Sequence, residues 1–252
     1  MPADFAGAVP RWESQLDNAR NVVRQQLVER QLLRHVGQLN RSSRIVDVGC
    51  GQGTIAAALA RRGFWVLGVD PSAELLERAR RAAPGDNVRF VVGTLDDLEA
   101  LVPEPVDVVC CHGVVMYLPE LVPSVAALVS RLRPGGVLSL LTRNQAGIAF
   151  RAGMTQSWAE LPAAFDASHY DNRLGVERVR ADTPEEVIAA CEAHGATVEA
   201  WYGVRLFTDH WGDGPAPADL ARIVEAEDEA GRRDPYRRLG ALTHVIARRR
   251  AP

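Results

Sequence analysis

Arg44-Ile45-Val46-Asp47-Val48-Gly49-Cys50-Gly51-Gln52-Gly53-Thr54 is the stretch on which the reading of this chain turns. A short β-branched run carrying an acid passes into three glycines at alternate positions, and Ile55-Ala56-Ala57-Ala58-Leu59-Ala60 follows as the opening of a helix. Strand, glycine turn and helix are therefore expected in immediate succession. Only a residue without Cβ lets the backbone reverse so sharply and still lie against a ligand. The turn also aims the free N–H groups of the helix start at whatever sits above it. The pattern calls for a nucleotide-like cofactor over the loop and an acceptor beside it.

Working outward, Val22 to Leu39 has the spacing of an amphipathic helix, with Val28, Leu32, Val36 and Leu39 on one face. Arg20, Arg24, Arg30 and Arg34 read most simply as its solvated side. Phe64 to Asp70 is a near-continuous apolar run closed by an acid, the look of a parallel strand buried on both faces. Pro71-Ser72 starts a helix to Ala83. Val88–Val92, Val106–Cys111 and Val137–Leu141 supply three further strands, with a helix over Leu121–Leu132 between the last two. Such alternation implies a parallel sheet covered by helices. Beyond Thr142 the rhythm changes. Asn144 to Arg180 is aromatic-bearing and weakly periodic, as expected of a cap. A helix from Asp182 to His194, strands over Thr197–Phe207 and Thr243–Arg248, and a helix over Ala218–Ala230 complete the chain. The two last strands suit an antiparallel pair added to the sheet. The expected organisation is a cofactor core over residues 1–143, a cap over 144–182 and a C-terminal part over 183–252.

Bulk properties set limits. The chain has 252 residues, is 47% hydrophobic and carries a formal net charge of -3, which gives no global case for nucleic-acid binding. No window approaches a membrane span and no signal peptide opens the chain, so a cytoplasmic protein is expected. Cys50, Cys110, Cys111 and Cys191 lack paired spacing, and neither a disulfide framework nor a metal site is suggested. All 29 basic side chains are arginine.

The glycine turn could serve several cofactors. A dinucleotide fingerprint needs glycine at its first, third and sixth positions, and counting from Gly49 the sixth is Thr54. No Gly-Lys-Ser/Thr follows, so the phosphate loop of ATPases fails as well. What remains, hydrophobic-Asp-x-Gly-x-Gly-x-Gly, resembles the first motif of the class I S-adenosylmethionine-dependent methyltransferases. Three polar groups strengthen it. Asp70 closes the second strand, where a carboxylate would meet the ribose hydroxyls. Asp96 follows the third strand and His112 the fourth, at the same edge of the sheet. S-adenosylmethionine is the cofactor expected. The resemblance implies a Rossmann-like α/β fold: a seven-stranded methyltransferase sheet, parallel with an antiparallel terminal strand, helices on both faces and a small cap.

Over most of its length the chain is similar to the bacterial tRNA 5-carboxymethoxyuridine carboxyl methyltransferases. The matching segments include Val23-Arg24-Gln25, Cys111-His112-Gly113-Val114, Arg133 to Leu140, Gly203-Val204-Arg205-Leu206-Phe207 and Asp234-Pro235-Tyr236. The resemblance implies that Arg24, Gly49, Cys50, Gly51, Asp70, Leu95, Asp96 and His112 contact the cofactor. Arg24 would hold the methionyl carboxylate in a bidentate pair. A carboxylate acceptor is already ionised at neutral pH and needs a cation rather than a base. Arg205 is the arginine expected to hold it, with Tyr202 or Tyr236 as a hydrogen-bonding partner. For a phenol or amine acceptor, His112 would be the candidate base. Between Asp166 and Asn172 the cap is neutral to acidic, where these relatives carry a basic insert. A small-molecule methyltransferase therefore stands beside the tRNA reading, and a cofactor-binding protein without catalysis is the third possibility.

Overall fold

The computed structural model describes residues 17–83 and 85–251. Its centre is a seven-stranded sheet in the order β3-β2-β1-β4-β5-β9-β8. Here β1 is Arg44–Val48, β2 Trp65–Asp70, β3 Val88–Val92, β4 Val106–His112, β5 Leu132–Arg143, β8 Ala196–Val204 and β9 Leu242–Arg249. A two-residue pair, β6 (His169–Tyr170) and β7 (Val179–Arg180), lies apart from it. The first five strands of the sheet pair in parallel. The chain-terminal β9 runs antiparallel to both β5 and β8. It is inserted between them, so β8 and not β9 forms the outer edge.

Alternate residues of each strand enter different cores, which is why the strands read as unbroken apolar runs. Ile45, Val66, Val108, Cys110, Val137 and Ile246 pack against Leu32, Ala56, Leu59 and Leu76. These come from helices α1 (Ala19–Val36), α2 (Thr54–Arg61) and α3 (Ala73–Ala82). On the other face Val46, Val48, Val109, Cys111, Leu138 and Leu140 meet Val125, Leu128, Val187 and Cys191. Val125 and Leu128 come from α5 (Leu121–Ser130) and Val187 and Cys191 from α8 (Pro184–Ala193); α4 (Leu98–Leu101) adds Leu98 to this core, and α6 (Ala146–Met154) and α7 (Leu161–Ala164) lie in the 144–182 segment. A capping box of Thr183 and Glu186 starts α8.

Some boundaries differ from the sequence reading for physical reasons. β5 continues to Arg143 because β9 pairs with it through Arg143↔Leu242. β8 stops at Val204, short of Phe207, because Arg205 takes φ 59° and turns the chain out of the sheet. Of the four arginines read as a solvated face of α1, Arg20 is 4% exposed. The ends of the 144–182 segment are tied together: Gln145 N–H donates to Asp182 O at 3.1 Å and Asp182 N–H to Arg143 O at 3.0 Å. The segment that carries α6, α7 and β6–β7 thus leaves from and returns to the carboxyl end of β5.

Candidate active site

Strand order reverses between β1 and β4, and in open α/β sheets this is where the crevice beyond the carboxyl ends of the strands takes ligands. A cavity of about 1040 Å³ opens there. Its volume is at the upper end for a small-molecule site, enough for a cofactor and an acceptor together.

The cofactor side is made by the strand ends and the glycine turn. Gly49 and Cys50 both donate N–H to Val69 O, at 2.7 and 3.1 Å, which folds the turn over β2. Gly49 has φ 69°, and a Cβ there would stand 2.2 Å from Val114 Cγ2. Cys50 packs its sulfur over Gly68, where an added Cβ would be 2.8 Å away. Burial first, then the charges of Asp47 and Asp70, push its thiol pKa far up, which disfavours the thiolate. Asp70 is held by Gly51 N–H at 2.8 Å and Ser72 N–H at 2.9 Å, one bond to each carboxylate oxygen. Burial still raises its pKa, against those two bonds. Asp47 beneath the turn is raised to about 7 by burial and then by Asp70.

Arg24 faces the same space from α1. Its Nε is buried without a hydrogen-bond partner, and it has no ion pair among the described residues. Burial and then the nearby Arg205 lower its pKa to about 10. A guanidinium so placed fits an anion such as the carboxylate of a methionyl group.

A buried chain of hydrogen bonds links Gln31 to His112, and with Gln31 Oε1 as the acceptor at its far end the directions follow. His244 Nδ1–H donates to Gln31 Oε1 at 2.7 Å, leaving His244 Nε2 to accept from Ser139 Oγ–H at 2.8 Å. Ser139 Oγ in turn accepts from His112 Nε2–H at 2.8 Å. His112 Nδ1 is left as a lone pair without a partner. Burial and then Arg24 lower the pKa of His112 to about 3, so the ring is neutral.

Beyond Arg24 the cavity wall is rich in arginine. Arg205 Nη2 lies 2.8 Å from Asp209 Oδ1, while Arg151 and Arg143 approach Asp209 Oδ2 at 3.4 and 3.7 Å. Burial raises the Asp209 pKa and the surrounding guanidinium groups more than reverse this, so the net shift is downward. Arg143 also stacks 4.6 Å from the centre of the Tyr170 ring. The loop after β8 is held by a buried carboxylate: Glu227 of α9 (Leu220–Arg232) accepts from the N–H groups of Leu206, Phe207 and Thr208 at 2.7, 3.0 and 2.9 Å. That grip sets Arg205 and Asp209 in place. Asn172, on the loop between β6 and β7, reaches across to donate to Tyr117 Oη at 3.1 Å.

Of the residues named from sequence, Arg24, Gly49, Cys50, Gly51, Asp70, Leu95, His112 and Arg205 line this one cavity. Three do not. Asp96 is exposed on a turn locked by Asp97, which accepts from Thr94 N–H and Oγ–H at 2.9 Å, and the wall there is Gly93, Thr94 and Leu95. Tyr202 points to the α1 side of the sheet, where its hydroxyl lies 2.9 Å from His35 Nε2. Tyr236 sits 51% exposed in the short 3-10 turn Tyr236–Leu239, outside the cavity wall. Sequence reasoning did not single out Arg143, Arg151, Arg173 or Asp209. Only Arg143 had a usable signal, its place at the carboxyl end of β5 beside Asp70 and His112.

Glycine turn, strand order and cavity together define a class I S-adenosylmethionine-dependent methyltransferase, and residues 46–140 match the family model described as "Methyltransferase domain". The chain belongs to this family, with S-adenosylmethionine as its cofactor. It is 30% identical over 211 residues to the tRNA 5-carboxymethoxyuridine methyltransferase of Escherichia coli (strain K12), covering 82% of this chain and 80% of that one. It is also 36% identical over 110 residues to the ubiquinone biosynthesis O-methyltransferase of Xanthomonas campestris pv. campestris (strain B100), across 43% of this chain and 46% of the other. Two solved structures share the fold. An S-adenosylmethionine-dependent methyltransferase from Mesorhizobium loti superposes with TM-score 0.58 at 22% identity, over 88% of this chain and 98% of that one. Geranyl diphosphate C-methyltransferase from Streptomyces coelicolor A3(2), crystallised with S-adenosyl-L-homocysteine, gives TM-score 0.56 at 22% identity, over 88% and 78%. Among the described residues, no helix is long and apolar enough to cross a membrane.

Proposed function

We propose that this enzyme O-methylates a carboxylate, and that the carboxylate of 5-carboxymethoxyuridine in tRNA is its best-matched acceptor. The observation that carries the reading is Arg205. Its side chain is 14% exposed, lines the cavity, and keeps a buried Nε with no hydrogen-bond partner. A carboxylate is the group such a planar fork of donors binds best. The similarity to the Escherichia coli enzyme over 82% of this chain supports the tRNA form of the reading.

When bound, S-adenosylmethionine supplies a methyl group on a sulfonium, with a neutral thioether as leaving group. In this reading Arg24 holds the methionyl carboxylate and Asp70 accepts from the ribose hydroxyls. Arg205 and Arg143 hold the acceptor carboxylate so that one oxygen lies in line with the methyl carbon, which is most of what this chemistry requires. Tyr117, Tyr170 and Met116 line the space between and keep water out. No proton has to leave a carboxylate, and His112, locked neutral, has none to take up.

A small carboxylate acceptor is the second reading, supported by the neutral-to-acidic Asp166–Asn172 segment and by residues 170–174 lying in the cavity wall. Labelled S-adenosylmethionine offered with tRNA from cells lacking and containing the carboxymethoxy modification, and with small carboxylic acids, separates the two. Cofactor binding without transfer to any acceptor would favour a non-catalytic role. Arg205→Ala should lower acceptor turnover more than 100-fold, about 3 kcal/mol in transition-state terms, while cofactor affinity stays within a factor of two. Unchanged turnover would sink the assignment.

A further inference from the structure

The acceptor end of the cavity holds more positive charge than one carboxylate can answer. Five arginines line it: Arg143, Arg151 and Arg205 gather on Asp209, while Arg20 and Arg173 share Asp213. The two aspartates stand four residues apart in the loop that follows β8. Asp171, also in the wall, is engaged by the N–H of Arg178 at 2.9 Å. Counting all three acids, two positive charges remain uncompensated among the described residues of this end.

These guanidinium groups are not spread over solvent. The side chains of Arg143 and Arg20 are 4% and 5% exposed. Arg20, Arg143 and Arg205 each keep a buried Nε without a hydrogen-bond partner. Buried donors left unpaired carry a desolvation cost that a bound anion removes. Asp209 serves as an internal anion for one group and the half-exposed Asp213 for the other. Arg173 stands between them: burial lowers its pKa, Asp209 and Asp213 attract it, and Arg205 repels it.

We propose that this end of the cavity takes an acceptor with at least two oxyanions, the carboxylate to be methylated at Arg205 and Arg143 and a second carboxylate or phosphate between Arg20 and Arg173. The inference rests on the carboxylate reading of the acceptor and adds the second subsite to it. It distinguishes this pocket from one suited to a simple monocarboxylate.

Titration calorimetry on the full chain saturated with S-adenosylhomocysteine tests it, using acetate, succinate and 2-phosphoglycolate as probes. Succinate, 2-phosphoglycolate or both should bind at least tenfold more tightly than acetate. Whichever leads identifies the second group as carboxylate or phosphate. In Arg173→Gln that advantage should fall below threefold with S-adenosylhomocysteine affinity unchanged, whereas Arg222→Gln, removing equal charge from the exposed surface of α9, should keep it. Equal binding of all three probes, no binding of either succinate or 2-phosphoglycolate, or an advantage that survives in Arg173→Gln would overturn the second subsite. Methyl transfer to monocarboxylates and dicarboxylates alike would overturn it while leaving carboxylate methylation standing. A dianion preference without transfer to any carboxylate would support the subsite and overturn the carboxylate reading.

Discussion

The two ends of the cavity are built in opposite ways. The end proposed for the cofactor is mostly backbone and strand termini: a glycine turn folded onto Val69 O, Asp70 gripped by two N–H groups, and Arg24, which has no ion pair among the described residues. The end proposed for the acceptor is made of side chains, with arginines drawn from β5, α6, the β6–β7 loop and the end of β8 around one carboxylate. A backbone site recognises what every member of a cofactor family must bind. A side-chain site can be re-specified by a few substitutions without disturbing the sheet.

If that division holds, removing the shared carboxylate should hurt the acceptor end most. Asp209→Asn leaves Arg143 and Arg205 buried without their counter-charge, and breaking a buried pair of this kind costs about 3–5 kcal/mol. Urea denaturation should show that loss, and succinate or phosphate should restore part of it. The same stability is lost in the wild type at low pH. The folded-state pKa of Asp209 lies below its ordinary value of 3.8, so its contribution is complete above that pH and disappears as pH falls through the folded value.

At the cofactor end, Asp70→Ala should weaken S-adenosylhomocysteine binding about 100-fold by calorimetry, since charge-assisted hydrogen bonds contribute roughly 1.5–3 kcal/mol each. An effect on acceptor affinity as large as that on the cofactor would break the comparison. Asp47 gives a smaller and oppositely signed signal. Its folded pKa of about 7 lies above the ordinary 3.8, so its contribution to apo stability is largest below 3.8 and is lost as pH rises towards 7. Asp47→Asn should flatten that decline in melting temperature between pH 5 and 8; an unaltered slope would assign it to other groups. The smallest effect is expected at Tyr236. Exposed and outside the cavity wall, it should tolerate Phe with turnover changed less than about twofold, within the range usual for surface substitutions.

The cofactor end was legible in the chain because its parts are short-range. Gly49, Gly51 and Gly53 need only one strand and one helix beside them to make the turn, and Asp70 closes the next strand. Asp96 lies outside the cavity wall for an equally local reason, since the neighbouring Asp97 captures the turn and leaves Asp96 exposed. Tyr202 looked available because strand periodicity gives two faces and does not say which one meets the cavity. β9, entering between β5 and β8, settles that question through the pairing Tyr202↔His244. Arg205 was found by resemblance, but its turn out of β8 depends on Glu227, which is 22 positions away in sequence and visible only once α9 packs against the loop.

What the sequence determined by itself was therefore the sheet, the glycine turn and the cofactor, because hydrophobic period, turn chemistry and an acid at a strand end all act over a few residues. What only the tertiary structure decided was the charge of the acceptor end. Arg20, Arg143, Arg151, Arg173 and Arg205 are spread over 186 positions of the chain. In a chain whose every basic residue is arginine, none of them stands out by type. They come together only where the 144–182 segment, α1 and the loop after β8 line one cavity, since Coulomb interactions depend on distance in space and not along the backbone.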